Sequence, residues 1–361
     1  MRRPDIPVLT TLRFPAAFAI LLFHFLAYTP CSEWIWEGFG AGVAFFYVLS
    51  GFILYYNYAD LPDRGFFWMA RFARIWPVHL FTLAMAFTLL PFWKLEGHAS
   101  VEVTLPFNIL LLHAWLPWQG SVLSYNGVSW SLSVEAFFYI CFPWLLGVMK
   151  TRGPAPLLIG SFVLAFIIVL LAAIFLPAQS HFVWPFNPAT RLFEFVLGMT
   201  ACRWWMRERA ESPSLAAWTG YEALGLVGCV ALVVTIPVLL HDLGVTNIVA
   251  GWFGSEFTVA GFAAMIWIFA HQAGAISRAL SSRVCEWFGE ISFALYMCHQ
   301  MILRWLDPEV MTHMMDAVAF FIPYLVGSML TAAAIYHFVE TPARRAILAA
   351  YKRRRSAVPA S

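Results

Sequence analysis

Two residues that can do chemistry lie inside the first apolar stretch of the sequence. The segment LRFPAAFAILLFHF, residues 12–25, carries Arg13 and His24 among side chains that suit a lipid environment. Their spacing is close to three helical turns, so both share one helix face and lie about 16 Å apart along its axis. An arginine in the centre of hydrocarbon costs about 2.5–3.5 kcal/mol. The pair indicates either polar helix packing, with Arg13 reaching towards the membrane surface, or a polar stripe that serves a reaction.

A carboxylate lies at a similar predicted depth in another helix. The segment GVSWSLSVEAFFY, residues 127–139, places Glu135 about two turns inside the helix that it opens. A carboxylate that hydrogen-bonds an imidazole orients it and tunes its pKa, which makes the histidine a general base. We predict that His24 and Glu135 are catalytic in this way. A structural pair that locks two helices together is the alternative.

Two arginines form a candidate anion site on the side that we assign to the cytoplasm. In WMARFARIWPVH, residues 68–79, Arg71 and Arg74 lie three apart on one helical face, just before Pro77. Paired guanidinium groups at a helix entrance can clamp a phosphate. The alternative is that they anchor the helix at the membrane surface.

The segment ISFALYMCHQ, residues 291–300, adds ionisable groups at the predicted depth of His24 and Glu135, which suggests a shared cavity. A single buried histidine in such a helix is more often a packing group. The weaker candidates for contacts to an acceptor or an oxyanion are Ser133, Tyr296, Arg191 and His299. We expect no metal site, since the histidines are scattered without ligand spacing.

The elements that position these residues are membrane helices. Hydrophobic residues make up 61% of the 361 residues and charged ones 12%, and the mean hydropathy is +0.74. No strict alternation indicates a barrel, so the spans are helices. The stretch 105–118 is too short to span and is predicted to be interfacial or re-entrant. The sequence predicts an all-α polytopic bundle of about ten transmembrane helices, at about 8–28, 39–57, 75–93, 129–149, 155–177, 189–206, 219–240, 256–272, 288–306 and 317–339.

The distribution of basic residues orients these helices. With the N-terminus inside, most lysines and arginines fall in cytoplasmic segments, while the outer connectors are acidic or neutral. We therefore predict that both termini are cytoplasmic and that the N-terminal helix is retained rather than cleaved as a signal peptide. The membrane domain is expected to cover residues 1–345, followed by a basic cytoplasmic tail, 346–361. Its KRRR cluster is predicted to face lipid rather than nucleic acid.

Two other patterns indicate packing rather than chemistry. In FFYVLSGF, residues 45–52, Ser50–Gly51 permits close approach between helix backbones. The cysteines lack metal-ligand or CxxC spacing, and most are predicted to be buried apolar side chains: Cys31, Cys141, Cys202, Cys229, Cys285 and Cys298.

Several motifs together resemble the membrane acyltransferase-3 family, the bacterial O-acyltransferases. LRFPAAFAILLFH matches the family's Arg-x10-His first helix, and FFYVLSGF, RFARIWPVH, WSLSVEAFFY, RLFEFVLGM and ISFALYMCHQ resemble its other motifs in the right order. The likeness covers about residues 8–345. It implies a multi-pass enzyme of the bacterial inner membrane that moves an acyl group, commonly acetyl from cytoplasmic acetyl-CoA, to a hydroxyl of a carbohydrate or glycolipid.

The resemblance also implies roles for individual residues. Arg13 and His24 are the family's first-helix pair, Arg71 and Arg74 match its donor-handling arginine motif, and Glu135 ends its WSL-x-x-E motif. Acyl-CoA would be a co-substrate, with no cofactor bound permanently. Because some relatives carry an added periplasmic domain that we do not expect here, acceptor recognition is expected from the membrane domain and its loops.

Two other classes of function stay open at this point. A transporter or flippase of a glycan or lipid-linked sugar would also collect buried charges, but it should show inverted repeats and helices broken in corresponding positions, which the sequence lacks. A sensor or scaffold that only binds a lipid or glycan is the second alternative.

Overall fold

The computed structural model describes residues 4–28, 37–60, 63–89, 101–176, 185–208, 214–244, 247–306 and 317–356. Every regular element within those ranges is helical. Eight helical segments in this part of the chain are long and apolar enough to cross a membrane. The predicted all-α membrane architecture is therefore confirmed, while the cytoplasmic placement of both termini stays a prediction.

A π turn, Tyr336–Glu340, joins the last two helices. In chain order the helices are α1 (Pro7–Thr11), α2 (Arg13–Leu26), α3 (Gly42–Tyr58), α4 (Arg64–Leu89), α5 (Val101–Ile109), α6 (Gln119–Val122), α7 (Trp130–Arg152), α8 (Ala155–Phe175), α9 (Leu192–Trp205), α10 (Leu215–Asp242), α11 (Ile248–Ala270), α12 (Ala275–Leu280), α13 (Arg283–Leu306), α14 (Ala317–Ile335) and α15 (Thr341–Ser356).

The chain divides into two compact units: the first comprises Met1–Ala59 and Trp144–Ser292, and the second comprises Asp60–Pro143 and Phe293–Ser361. In the first unit α3 and α9 pack backbone against backbone. A Cβ at Gly51 would meet the carbonyl oxygen of Phe195, and one at Gly198 would meet that of Val48. The predicted close approach at Gly51 is confirmed, because glycine alone leaves room for the neighbouring backbone.

A buried carboxylate caps a short helix in the first unit. Glu222 of α10 accepts backbone N–H bonds from Gly274 at 2.9 Å, Ile276 at 3.0 Å and Ser277 at 3.1 Å, at the start of α12. These are donors that a helix N-terminus leaves without partners. The Glu222 carboxylate is therefore structural and fully provided with donors.

In the second unit, residues 101–129, which precede α7, form hydrogen bonds to helix segments of the same unit. Trp76 of α4 donates to the Ile109 carbonyl at 3.2 Å, and Asn126 donates to the Met297 carbonyl at 2.9 Å. Arg304 donates to the carbonyl of Tyr125 at 2.7 Å. Hydrogen bonds between these residues and the long helices thus fix the backbone of the part that precedes α7.

Two predicted helix starts are wrong. The helix predicted to start at residue 75 begins at Arg64, and the one predicted to start at residue 256 begins at Ile248. Both predictions followed apolarity alone: the first stopped short of Arg71 and Arg74, which the protein pairs inside, and the second began at Glu256, about two turns inside the helix. As a result, Arg71 and Arg74 lie two to three turns inside α4 rather than at its entrance.

The other predicted boundaries concern the stretch 105–118 and the C-terminal tail. The stretch 105–118 forms the end of α5, a turn and a short 3-10 turn, and it is too short to span. Residues 346–356 of the predicted tail continue α15, and residues 357–361, like residues 90–93 of a predicted helix, lie outside the described part of the chain. The domain boundary at residue 345 stays a prediction.

Candidate active site

The predicted site residues fall into both units. Arg13, His24 and Arg191 belong to the first unit; the second contains Arg71, Arg74, Ser133, Glu135, Tyr296 and His299. The pairing of His24 with Glu135 stays a prediction, since the two residues belong to different units.

His24 has a defined tautomer. Its Nδ1 lies 2.9 Å from the carbonyl oxygen of Ile20, one turn earlier in α2. Because a carbonyl oxygen can only accept, Nδ1 carries the proton and the imidazole lone pair is on Nε2. Arg13 is the first residue of α2, so the predicted common helix face of Arg13 and His24 is confirmed by one continuous helix. The geometry suits a base that acts through Nε2.

Glu135 and Arg71 meet through Tyr139, a residue that sequence reasoning missed. The Tyr139 hydroxyl donates to Glu135 Oε1, one turn earlier in α7. The Arg71 guanidinium carbon lies 5.6 Å from the centroid of the Tyr139 ring, in a cation–π contact. Trp68 donates to the backbone carbonyl of Tyr139 at 3.1 Å, which holds α4 beside α7. The spacing of Glu135 and Tyr139, four residues apart, was a readable signal.

Arg74 pairs with a carboxylate from the π turn that precedes α15. Its Nη1 forms a salt bridge with Oε1 of Glu340, whose side chain is 2% exposed. The guanidinium also lies 4.9 Å from the Phe293 ring centroid, and Glu135 and Tyr139 lie within electrostatic range. Sequence reasoning missed Glu340 because its partner is distant in sequence. Two cations and two carboxylates thus form one charge-balanced cluster in the second unit.

The weaker candidates of the second unit contact backbone groups. The Tyr296 hydroxyl lies 2.9 Å from the Val128 carbonyl oxygen and 2.8 Å from Ser131 Oγ. Ser133 Oγ donates to the Leu111 carbonyl oxygen, and His299 Nδ1 donates to the carbonyl of Leu295 at 3.2 Å. These bonds place Tyr296 and Ser133 as groups that hold the start of α7 and the connection before it.

Two buried histidines that sequence reasoning passed over stack in the second unit. The rings of His79 and His113 are nearly parallel, with centroids 6.5 Å apart. His79 Nε2 donates to the Asn108 carbonyl at 2.8 Å, and His113 Nε2 lies 3.2 Å from Ser129 Oγ. Burial, with the neighbouring His79, lowers the pKa of His113 from 6.5 to about 3. His113 is therefore neutral at physiological pH.

Arg191 belongs to a charged cluster in the first unit. Its Nη1 lies 2.6 Å from Oε1 of Glu194, and its guanidinium carbon lies 5.5 Å from the Tyr47 ring centroid. Glu256 of α11 lies within electrostatic range of both Arg191 and Glu194. All three charged side chains are buried. The two glutamates were missed because each lies in an apolar segment.

The protein is multi-pass and helical, and it buries ionisable side chains inside apolar helices. These features are typical of membrane enzymes and transporters. The family model described as an acyltransferase domain matches residues 6–337. The chain belongs to this family, the acyltransferase-3 family, and is a multi-pass membrane acyltransferase. The resemblance predicted from the motifs is confirmed, and the enzyme is favoured over the transporter and the sensor.

Curated proteins with related sequences are also acyltransferases by name. The chain is similar to Acyltransferase MdmB of Streptomyces mycarofaciens, at 30% identity over 83% of this chain and 79% of that protein. It is also similar to O-acetyltransferase OatA of Staphylococcus aureus, at 24% identity over 94% of this chain and 57% of that protein. The chain thus spans little more than half the length of OatA. No solved structure matches the chain.

Proposed function

We propose that this membrane O-acyltransferase moves an acyl group, acetyl in the first instance, from cytoplasmic acyl-CoA to a hydroxyl of a carbohydrate or glycolipid. The proposed setting is a bacterial inner membrane. The tautomer of His24 carries the proposal, since the Nδ1–H bond to Ile20 leaves the basic lone pair on Nε2. The name of OatA, an O-acetyltransferase, supports acetyl as the group and oxygen as its destination.

The reaction balances with one histidine. Nε2 of His24 takes the proton of the acceptor hydroxyl, whose oxygen attacks the thioester carbonyl carbon. A C–O bond forms, the C–S bond breaks, and the imidazolium returns the proton to the CoA thiolate. Alternatively, Nε2 attacks the thioester carbon first and expels the CoA thiolate; the acceptor oxygen then takes the acyl group from Nε2, and the hydroxyl proton passes to the thiolate. Both routes require a neutral imidazole at the start.

Arg13, Arg71 and Arg74 are proposed to handle the donor, whose phosphates suit guanidinium groups. Because Arg74 is ion-paired with Glu340, a phosphate that binds Arg74 must displace this carboxylate. Glu135 is proposed to stabilise the charged form of the catalytic imidazole. Tyr139 holds Glu135 in one orientation through its hydroxyl, which supports a positioning function for Tyr139 in the same cluster.

The test follows CoA release by purified protein supplied with acetyl-CoA and host membrane extract as acceptor. His24→Asn can keep a donor towards the Ile20 carbonyl, and His24→Gln can keep a polar group near Nε2, but neither supplies a base. We expect both variants to lose about 10²–10⁴-fold in rate. His241→Gln is the matched control, because His241 is in the same unit and its side chain is 61% exposed. Equal CoA release by the wild type and both His24 variants would overturn the proposal.

A further inference from the structure

The first unit contains carboxylate oxygens that its own groups do not satisfy. All four oxygens of Glu194 and Glu256 are buried without a hydrogen-bond partner at full geometry among the described residues. Glu194 is fully buried and Glu256 is 8% exposed. The ion pair with Arg191 balances one of the two negative charges. Arg191 Nη1 reaches one oxygen of Glu194, and the other acceptor positions of the two carboxylates lack donors of full geometry among the described residues, so a bound species with hydroxyl groups can supply them.

An indole donor lies beside these acceptor oxygens. Trp252 precedes Glu256 by one turn on α11, and its N–H points towards that carboxylate without reaching hydrogen-bond geometry. The indole is held by the Phe162 ring, with centroids 5.0 Å apart. A hydroxyl group donates to a carboxylate and accepts from an N–H, so it fits both partners at once.

Helix structure alone explains only one of the two glutamates. Glu194 lies in the first turn of α9, where a negative charge stabilises the helix dipole. Glu256 lies in the third turn of α11 and gains no such stabilisation. In the predicted orientation, the N-terminal ends of α9 and α11 face away from the cytoplasm. A ligand that reaches the cluster from that side would be the acceptor.

We propose that Arg191, Glu194, Trp252 and Glu256 form an acceptor subsite that binds hydroxyl groups of a hexopyranoside. This inference rests on the proposed function and names the class of acceptor. The carboxylates accept hydrogen bonds from sugar hydroxyls, while the guanidinium and the indole donate to sugar oxygens. The subsite recognises O–H donors, so a sugar with the same ring and no hydroxyl groups is rejected.

The experiment measures CoA release from acetyl-CoA by the purified full chain with a series of methyl hexopyranosides as probes. Each probe is paired with its fully O-methylated counterpart, which keeps the ring and has no O–H donor. Glu256→Gln and Glu194→Gln are compared with Glu222→Gln, a buried glutamate of the same unit that backbone donors fully satisfy. KM for the probe and KM for acetyl-CoA are determined separately.

We expect at least one hexopyranoside to stimulate release by the wild type and its O-methylated form to have no effect. Glu256→Gln should raise KM for the sugar about tenfold or more, with KM for acetyl-CoA unchanged, while Glu222→Gln leaves both unchanged. Equal stimulation by the O-methylated probes would overturn the subsite. An unchanged KM for the sugar in both glutamate variants would also overturn it, since bound water or a shared proton would then satisfy the two carboxylates. Stimulation by host extract and by no hexopyranoside would overturn the subsite alone. Stimulation by neither would overturn the proposed function as well.

Discussion

Arg74 and Glu340 form a salt bridge across 266 residues of sequence, and Glu340 is the last residue of the π turn. Glu340 is almost completely buried, while the Arg74 side chain is 20% exposed. The bridge therefore ties α4 to the end of the chain within the second unit. It also holds one arginine of the proposed donor site before any phosphate arrives.

Arg74 and Glu340 should contribute to the free energy of unfolding as a strongly coupled pair. Arg74→Gln or Glu340→Gln alone leaves one buried charge without its partner, which we expect to lower the free energy of unfolding by about 3 kcal/mol. The double variant should lose less than the sum, by about 1–3 kcal/mol. Unfolding in detergent measures each variant. Asp63→Asn is the control, because Arg355, its partner, is 62% exposed, and its effect should stay below about 1 kcal/mol. Additive losses at Arg74 and Glu340 would contradict the coupling.

The contact between α3 and α9 should tolerate no added methyl group. Gly51→Ala pushes a Cβ against the Phe195 carbonyl, so we expect a loss of about 3 kcal/mol in the free energy of unfolding. The same substitution at Gly147 meets nothing within 4 Å and should be neutral or stabilise by about 0.5–1 kcal/mol. Thermal unfolding in detergent compares the two variants. Similar midpoints for both would show that the backbones can separate without cost.

His113 should make the protein sensitive to acid. Its pKa is lowered from 6.5 to about 3 by burial, so below pH 6.5 an unfolded chain takes up a proton that the folded chain refuses. The free energy of unfolding therefore falls as the pH drops from 6.5, by up to about 1.4 kcal/mol per pH unit from this group. His113→Gln should reduce that fall. Thermal midpoints at about pH 7.5 and about pH 5.5 measure the difference. An unchanged fall in His113→Gln would refute the assignment.

The sequence predicted well what depends on local pattern. The helical architecture follows from apolar segments, and the shared face of Arg13 and His24 follows from their spacing in α2. The close approach at Gly51 was also readable, because a small residue within an apolar helix has few other uses.

Tertiary partners were not predictable, and they explain the wrong start of α4. Hydropathy averages over a window, so it treats Arg71 as a charge at a helix boundary. Arg71 instead lies inside α4, where its guanidinium contacts the ring of Tyr139 from α7. Glu340 is a partner of Arg74 only through the tertiary fold, because 266 residues separate the two in sequence. Glu256 was invisible for the same reason, since an isolated acidic residue in an apolar segment reveals neither its depth nor its neighbours.

The π turn before α15 amounts to one residue inserted into an otherwise continuous helix. An inserted residue rotates everything after it by about 100° around the helix axis. Glu340 closes that turn, and Tyr351 further along α15 packs 6.1 Å from Phe66 of α4, between ring centroids. A single deletion within the turn would remove the partner of Arg74 and undock α15 from α4 in the same event. A change in the length of this turn would therefore cost both contacts together.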